Sequence, residues 1–146
     1  MTADKTDTTL TARILNGYRT VAVVGASPKP DRPSYRVASY LLEHGYRVIP
    51  VNPSYPEVLG QTSYPEVRAV PEAVEVVDIF QRPEAVMPVV EQAIAIGAKV
   101  VWMQEGIVNE AAAAKAREAG LLVVMDRCMR KEHERLTRSG QILPQG

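Results

Sequence analysis

The sequence predicts a single α/β domain, a doubly wound fold built on a five-stranded parallel sheet. Short runs rich in Val and Ile recur at residues 20–24, 47–51, 76–80, 99–103 and 121–125. None shows the polar alternation of a half-exposed strand, so each is expected to be covered on both faces. Each run is followed by a segment able to cross back over the sheet, and such alternation means parallel strands with helices on both faces. With right-handed crossovers the simplest strand order is 3-2-1-4-5.

The crossovers follow from local chemistry. Residues 34–44 put Tyr35, Ala38, Leu41 and Leu42 on one face, with Ser34 as the expected N-cap and Gly45 as the stop. A helix begun at Pro83 would carry Pro88 in its interior, costing about 3 kcal/mol. The helix is therefore expected to begin near Val86 and end at Gly97, leaving 81–85 as a loop. Residues 109–119 form an alanine-rich helix capped by Asn109 and stopped by Gly120, and 127–137 a charged, solvent-facing one. Residues 52–72 carry four prolines and little periodicity, with a short helix expected near Pro71. A helix over 9–16 follows a frayed start at 1–8; the domain then spans 9–140, and 141–146 form a tail.

Composition limits the function. The 146 residues include 46% hydrophobic and 23% charged, with Lys+Arg and Asp+Glu both at 17. A net charge of zero gives no bulk attraction to nucleic acid or an acidic membrane, so any anion site must be built locally. No apolar run has the length of a membrane span and residues 1–10 are polar, which makes a cytoplasmic location the default. Cys128 is the single cysteine and excludes an internal disulfide. His44 and His133 lie far apart in sequence, and metal binding is not expected. Apolar edges on a small sheet leave a homodimer or a protein partner open.

On such sheets ligands bind beyond the carboxyl ends of the strands. The first strand runs into Gly25-Ala26-Ser27, where a glycine lets the backbone turn tightly and face an anion. Lys29, Arg32 and Arg36 follow within a few residues, in a loop stiffened by Pro28, Pro30 and Pro33. The second strand ends Val51-Asn52-Pro53, where dinucleotide folds carry an acid for the ribose hydroxyls. A neutral amide suits a ribose bearing a phosphate, which a carboxylate would repel; Asn52-Pro53 also starts a turn. The third ends Phe80-Gln81-Arg82, adding a cation and either an apolar wall or core. The fourth ends Trp102-Met103-Gln104-Glu105, with the tryptophan lining the pocket or packing beneath it. Cys128 after the fifth is either a reactive thiol or a buried structural one. The stretch RKEHER, 130–135, mixes both signs and reads as a solvated helix face.

The segments VAVVGASPKPDRPSYRVASYLLEHGYRVIPVNP, DIFQRPEAV, AKVVWMQEGIVNEAAAAKAREAGL and MDRCMRKEH cover most of residues 21–133. Together they resemble a family of small CoA-binding proteins. That family is a single Rossmann-like domain similar to the N-terminal domain of the succinyl-CoA synthetase alpha subunit. The resemblance implies coenzyme A as ligand, with Gly25, Ala26 and Ser27 at the pyrophosphate and Lys29, Arg32 and Ser34 as neighbouring donors. It implies Val51, Asn52, Pro53 and Tyr55 beside the adenosine, Phe80, Gln81 and Arg82 as a facing wall, and Met103, Gln104 and Glu105 near the pantetheine. At residues 54–57 this chain has Ser-Tyr-Pro-Glu where the synthetase pattern has a lysine-bearing glycine loop. The synthetase also uses a phosphorylated histidine in a second domain, and neither His44 nor His133 matches it. The expectation is therefore non-catalytic binding of CoA or an acyl-CoA. An NADP-dependent oxidoreductase and a redox or interaction protein acting through Cys128 are the competing readings.

Overall fold

The computed structural model describes residues 3–143. Five strands form one parallel sheet: β1 (Thr20–Val24), β2 (Arg47–Val51), β3 (Val76–Ile79), β4 (Val100–Met103) and β5 (Leu122–Val124). The helices are α1 (Ala3–Gly17), α2 (Pro33–Glu43), α3 (Val86–Ala95), α4 (Glu110–Glu118) and α5 (Met129–Arg138). α1 starts earlier than expected, and residues 1–2 and 144–146 of the expected termini lie outside the described residues. No helix among the described residues is long and apolar enough to cross a membrane.

Alternate strand residues serve two buried layers, as a period of two requires. Ala22, Ile49, Val77, Val101 and Val123 meet α3 and α4 on one face. Val21, Val23, Val48, Val76, Val100, Trp102 and Val124 meet α1, α2 and α5 on the other. Trp102 is completely buried and donates its indole N–H to the Arg127 carbonyl at 2.9 Å, so it packs beneath the strand ends rather than lining a pocket.

The strand order is 2-1-3-4-5, a correction to the expected 3-2-1-4-5. α2 carries the chain from β1 to β2 over one face, and the long return to β3 uses the opposite face, burying Val67 and Val74 there. The place outside β2, where the third strand was expected, is taken by Tyr64. It makes a single parallel bridge to Val51, with the Asn52 N–H donating to the Tyr64 carbonyl at 2.8 Å. The return segment also holds a small hairpin, Glu57–Val58 with Gln61–Thr62, and a 3-10 turn at Val67–Ala69 in place of the helix expected near Pro71. This order moves the reversal point to the gap between β1 and β3.

α3 begins at Val86 with Pro88 in its first turn, as its proline required, and Pro83–Ala85 forms a 3-10 turn before it. Asn109 caps α4 by accepting the Ala112 N–H at 2.9 Å. α5 is not simply solvent-facing: Met129, Glu132, His133 and Leu136 are buried, so RKEHER is partly an interior face. There His133 meets Tyr40 and His44 of the α2 end. The Tyr40 hydroxyl lies 2.7 Å from His133 Nδ1, and the two imidazole centroids are 5.2 Å apart. Burial, with Glu134 and Tyr46 adding to it, pushes the Tyr40 hydroxyl up to about 12.

Candidate functional site

The reversal point opens a cleft of about 370 Å³ between the ends of β1 and β3. Gly25 stands at its base with φ +89°. Its N–H donates to the Val51 carbonyl at 2.8 Å, and the Phe80 N–H donates to the Val24 carbonyl at 2.8 Å. The turn is thus pinned between both neighbouring strands. A Cβ at Gly25 would lie 2.5 Å from the Phe80 oxygen, so only glycine lets the β3 end come this close.

Seven expected site residues line this cleft: Gly25, Ser27, Arg32, Ser34, Phe80, Gln81 and Arg82. Ser34 has a different role from the one expected. The helix begins at Pro33 with Arg32 at its N-cap position and no side-chain cap. The Ser34 hydroxyl instead accepts the Ser27 N–H at 3.1 Å, and Ser27 Oγ accepts the Lys29 N–H at 3.1 Å. The loop is therefore stitched to the first turn of α2 by its own serines. Neither hydroxyl donates a hydrogen bond among the described residues, and the Ser34 N–H, in the first helical turn, has no intrahelical acceptor.

Asn52 joins the β2 end to this loop. Its Nδ2 donates to the Ala26 carbonyl at 2.8 Å, and its Oδ1 accepts the Ser54 N–H at 2.9 Å. Pro53, Ser54 and Tyr55 continue into a neighbouring cavity of about 340 Å³. The other expected residues lie elsewhere. Val51 and Met103 are buried in the α3/α4 layer, and Ala26 is buried on the opposite one. Gln104 is buried with its Oε1 accepting the Met129 N–H at 3.1 Å, and Glu105 pairs with Lys131 at 2.9 Å. Lys29 is exposed and is not among the residues lining the cleft.

Three lining residues were missed: Pro33, Pro83 and Ile107. Each proline starts a helical turn, and Ile107 sits in the β4 loop, which is anchored where the Gly106 N–H donates to Asp126 Oδ1 at 2.7 Å. Pro83 could have been signalled by its place near the β3 end and Pro33 by opening the helix after the basic loop; Ile107 gave no signal. The cations are unevenly tied: Arg82 Nε lies 3.6 Å from Glu84 with both side chains largely in solvent, a weak constraint.

Beneath Phe80, two residues back on the same face of β3, Asp78 is completely buried and neither carboxylate oxygen has a hydrogen-bond partner. It lies level with Val23 and Trp102, and burial raises its pKa well above the ordinary carboxylate value.

A model of the CoA binding domain matches residues 19–134, from the start of β1 to within α5. The chain belongs to the CoA-binding domain family. A curated relative of similar length, uncharacterized protein YneT of Bacillus subtilis, is 37% identical over 120 residues, spanning 82% of this chain and 89% of that one. A solved structure of a hypothetical protein from Pyrococcus horikoshii OT3 has 54% identity and a TM-score of 0.87, covering 89% of this chain and 92% of that chain. Part of the chain is also similar to a segment of a larger protein. The ADP-forming acetate–CoA ligase I of Archaeoglobus fulgidus is 36% identical over 74 residues, 51% of this chain and 11% of the ligase. The family agrees with the Rossmann-like parallel sheet.

Proposed function

We propose that this protein binds CoA or an acyl-CoA in the cytoplasm and acts as a carrier, sensor or recruiting module, without catalysing a reaction itself. The observation that carries the reading is the cleft at the β1–β3 gap. There a glycine turn, two serine hydroxyls, a helix N-terminus and Arg32 and Arg82 converge on one space. CoA presents a pyrophosphate and a ribose phosphate, about four negative charges. The pyrophosphate takes the Ser27–Ser34 edge, where helix N-terminus and hydroxyls favour an anion. Arg32 and Arg82 meet it from opposite walls. The adenosine lies toward Asn52, Pro53 and Tyr55, where a neutral amide accepts a phosphorylated ribose. The pantetheine passes the ring of Phe80.

Family membership and the ligase match support CoA as the ligand. The lining supports binding over chemistry: the described residues around the cleft offer guanidinium, amide, hydroxyl and apolar groups. The mass of the small molecule released when freshly purified protein is denatured tests the proposal. CoA or an acyl-CoA is expected, and a nicotinamide dinucleotide would overturn it in favour of an oxidoreductase.

A further inference from the structure

We infer that His44 and His133 form a two-histidine site for a divalent late transition-metal ion such as zinc(II), which clamps the end of α2 to α5. The site stands apart from the CoA reading: α2 starts at Pro33 in the cleft, and His44 follows its last residue, about 16 Å along the helix.

The fold brings these two rings, far apart in the chain, to a centroid separation of 5.2 Å at an interplanar angle of 62°. Two imidazoles bound tetrahedrally to one ion, with metal–nitrogen bonds of about 2.0–2.1 Å, have centroids about 5 Å apart. The helices therefore already stand at the spacing a shared ion requires.

Hydrogen bonds decide which nitrogens are free. His44 Nδ1 lies 2.7 Å from the Tyr40 carbonyl oxygen, which only accepts, so in the neutral ring Nδ1 carries the proton and Nε2 the lone pair. His133 Nδ1 lies 2.7 Å from the Tyr40 hydroxyl and 3.5 Å from Thr137 Oγ. Thr137 donates its own proton to the His133 carbonyl at 2.7 Å, so it offers the ring an acceptor. An oxygen at the second nitrogen is how ligating histidines are ordinarily held. Neither Nε2 has a hydrogen-bond partner among the described residues.

Both nitrogens are also accessible. His44 is exposed. His133 is 4% exposed, but the buried side-chain atoms without a partner among the described residues are the Asp78 oxygens and Arg130 Nε. The unpartnered Nε2 of His133 is not one of them and so reaches solvent. Burial holds this imidazole below its usual value, which keeps it neutral and able to coordinate near pH 7. Among the described residues no group of three or more His, Cys, Asp or Glu could hold a metal, so water completes the shell. The nearby charge of Arg19, 4.9 Å from the Tyr46 ring centroid, opposes a dication. Both features suit an exchangeable ion rather than a permanent one.

Proton NMR of the intact protein tests this directly, because the chain has two histidines. Zinc(II), being diamagnetic, should shift both imidazole Cε1–H signals together, saturate at one ion per chain and raise the thermal midpoint. His44→Gln, at an exposed position, should abolish the His133 shift while leaving the metal-free midpoint nearly unchanged. Tyr40→Phe keeps both ligands but removes the hydroxyl at His133 Nδ1, and should weaken zinc binding by about tenfold. A shift of the His44 signal alone, a His133 shift that survives His44→Gln, or no shift at millimolar zinc overturns the inference.

Discussion

Gly25 and Phe80 are packed so closely that a single methyl group between them would lie 2.5 Å from the Phe80 carbonyl oxygen. That oxygen belongs to backbone held by the β1–β3 ladder, so it has little room to retreat. The proximity defines the cleft, since it brings the glycine turn and the wall of Phe80, Gln81 and Arg82 to either side of one space.

Gly25→Ala is therefore expected to destabilise the fold by about 2–4 kcal/mol, combining a left-handed backbone with an overpacked contact. Urea unfolding measures it. A shift within about 0.5 kcal/mol, the range of an ordinary surface substitution, would mean that the β1–β3 gap is wider than described.

Arg32 and Arg82 lie on opposite walls and have few internal obligations. Arg32→Ala and Arg82→Ala should each weaken CoA binding by about tenfold, the loss of one charge-assisted hydrogen bond, with the unfolding midpoint nearly unchanged. If both variants bind CoA as well as the parent, the phosphates do not sit in this cleft.

Much of the architecture was legible before any coordinates. The five Val/Ile runs became the five strands, Pro88 set the start of α3, and Asn109 capped α4. The strand order was not legible, because right-handed crossovers permit β3 outside β2 or beside β1; the structure has the β1–β3 ladder, with Tyr64 bridging the outer edge of β2. The hairpin was hidden for a chemical reason: its turn places Leu59 at φ 55° and Gly60 at φ 73°, where Asn-Gly or Asp-Gly would have announced it. Seven of the expected residues still share one cleft under the changed order, because Gly25 and Arg32 follow β1 in any arrangement. Met103 and Val51 were misleading, since strand-end position says which residues are near the edge but alternation decides that these two point into the core.

Asp78 should make stability depend on pH in an unusual direction for a carboxylate. Its folded pKa is raised by burial, so the folded state holds the proton more tightly than the unfolded chain. The Asp78 contribution to stability is fully present below about pH 4, the unfolded value, and is lost as pH rises toward the folded pKa. Asp78→Asn should remove that decline, seen as a flatter midpoint profile in urea unfolding from pH 5 to 8. An identical slope in the variant would show that Asp78 ionises without cost.

His133 acts in the opposite sense. Burial first, then the charges of His44 and Arg19, hold its imidazole below the usual value. The unfolded chain protonates first as pH falls through about 6.5, so stability from this group is present above that pH and lost below it. A proton-NMR titration should place His133 below 6.5 with His44 as internal comparison, and His133→Gln should lessen the acid-side loss. A His133 midpoint above 6.5 would mean that the Tyr40–His133 contact favours the charged ring.

The most direct measurement is calorimetric titration of the purified protein with CoA, dephospho-CoA and NADH under one buffer and salt condition. Clear preference for CoA over dephospho-CoA, and for both over NADH, is the predicted result, since the ribose phosphate and the absence of a carboxylate at Asn52 act together. Equal affinity for all three, or preference for NADH, would contradict the assignment of the β1–β3 cleft to CoA.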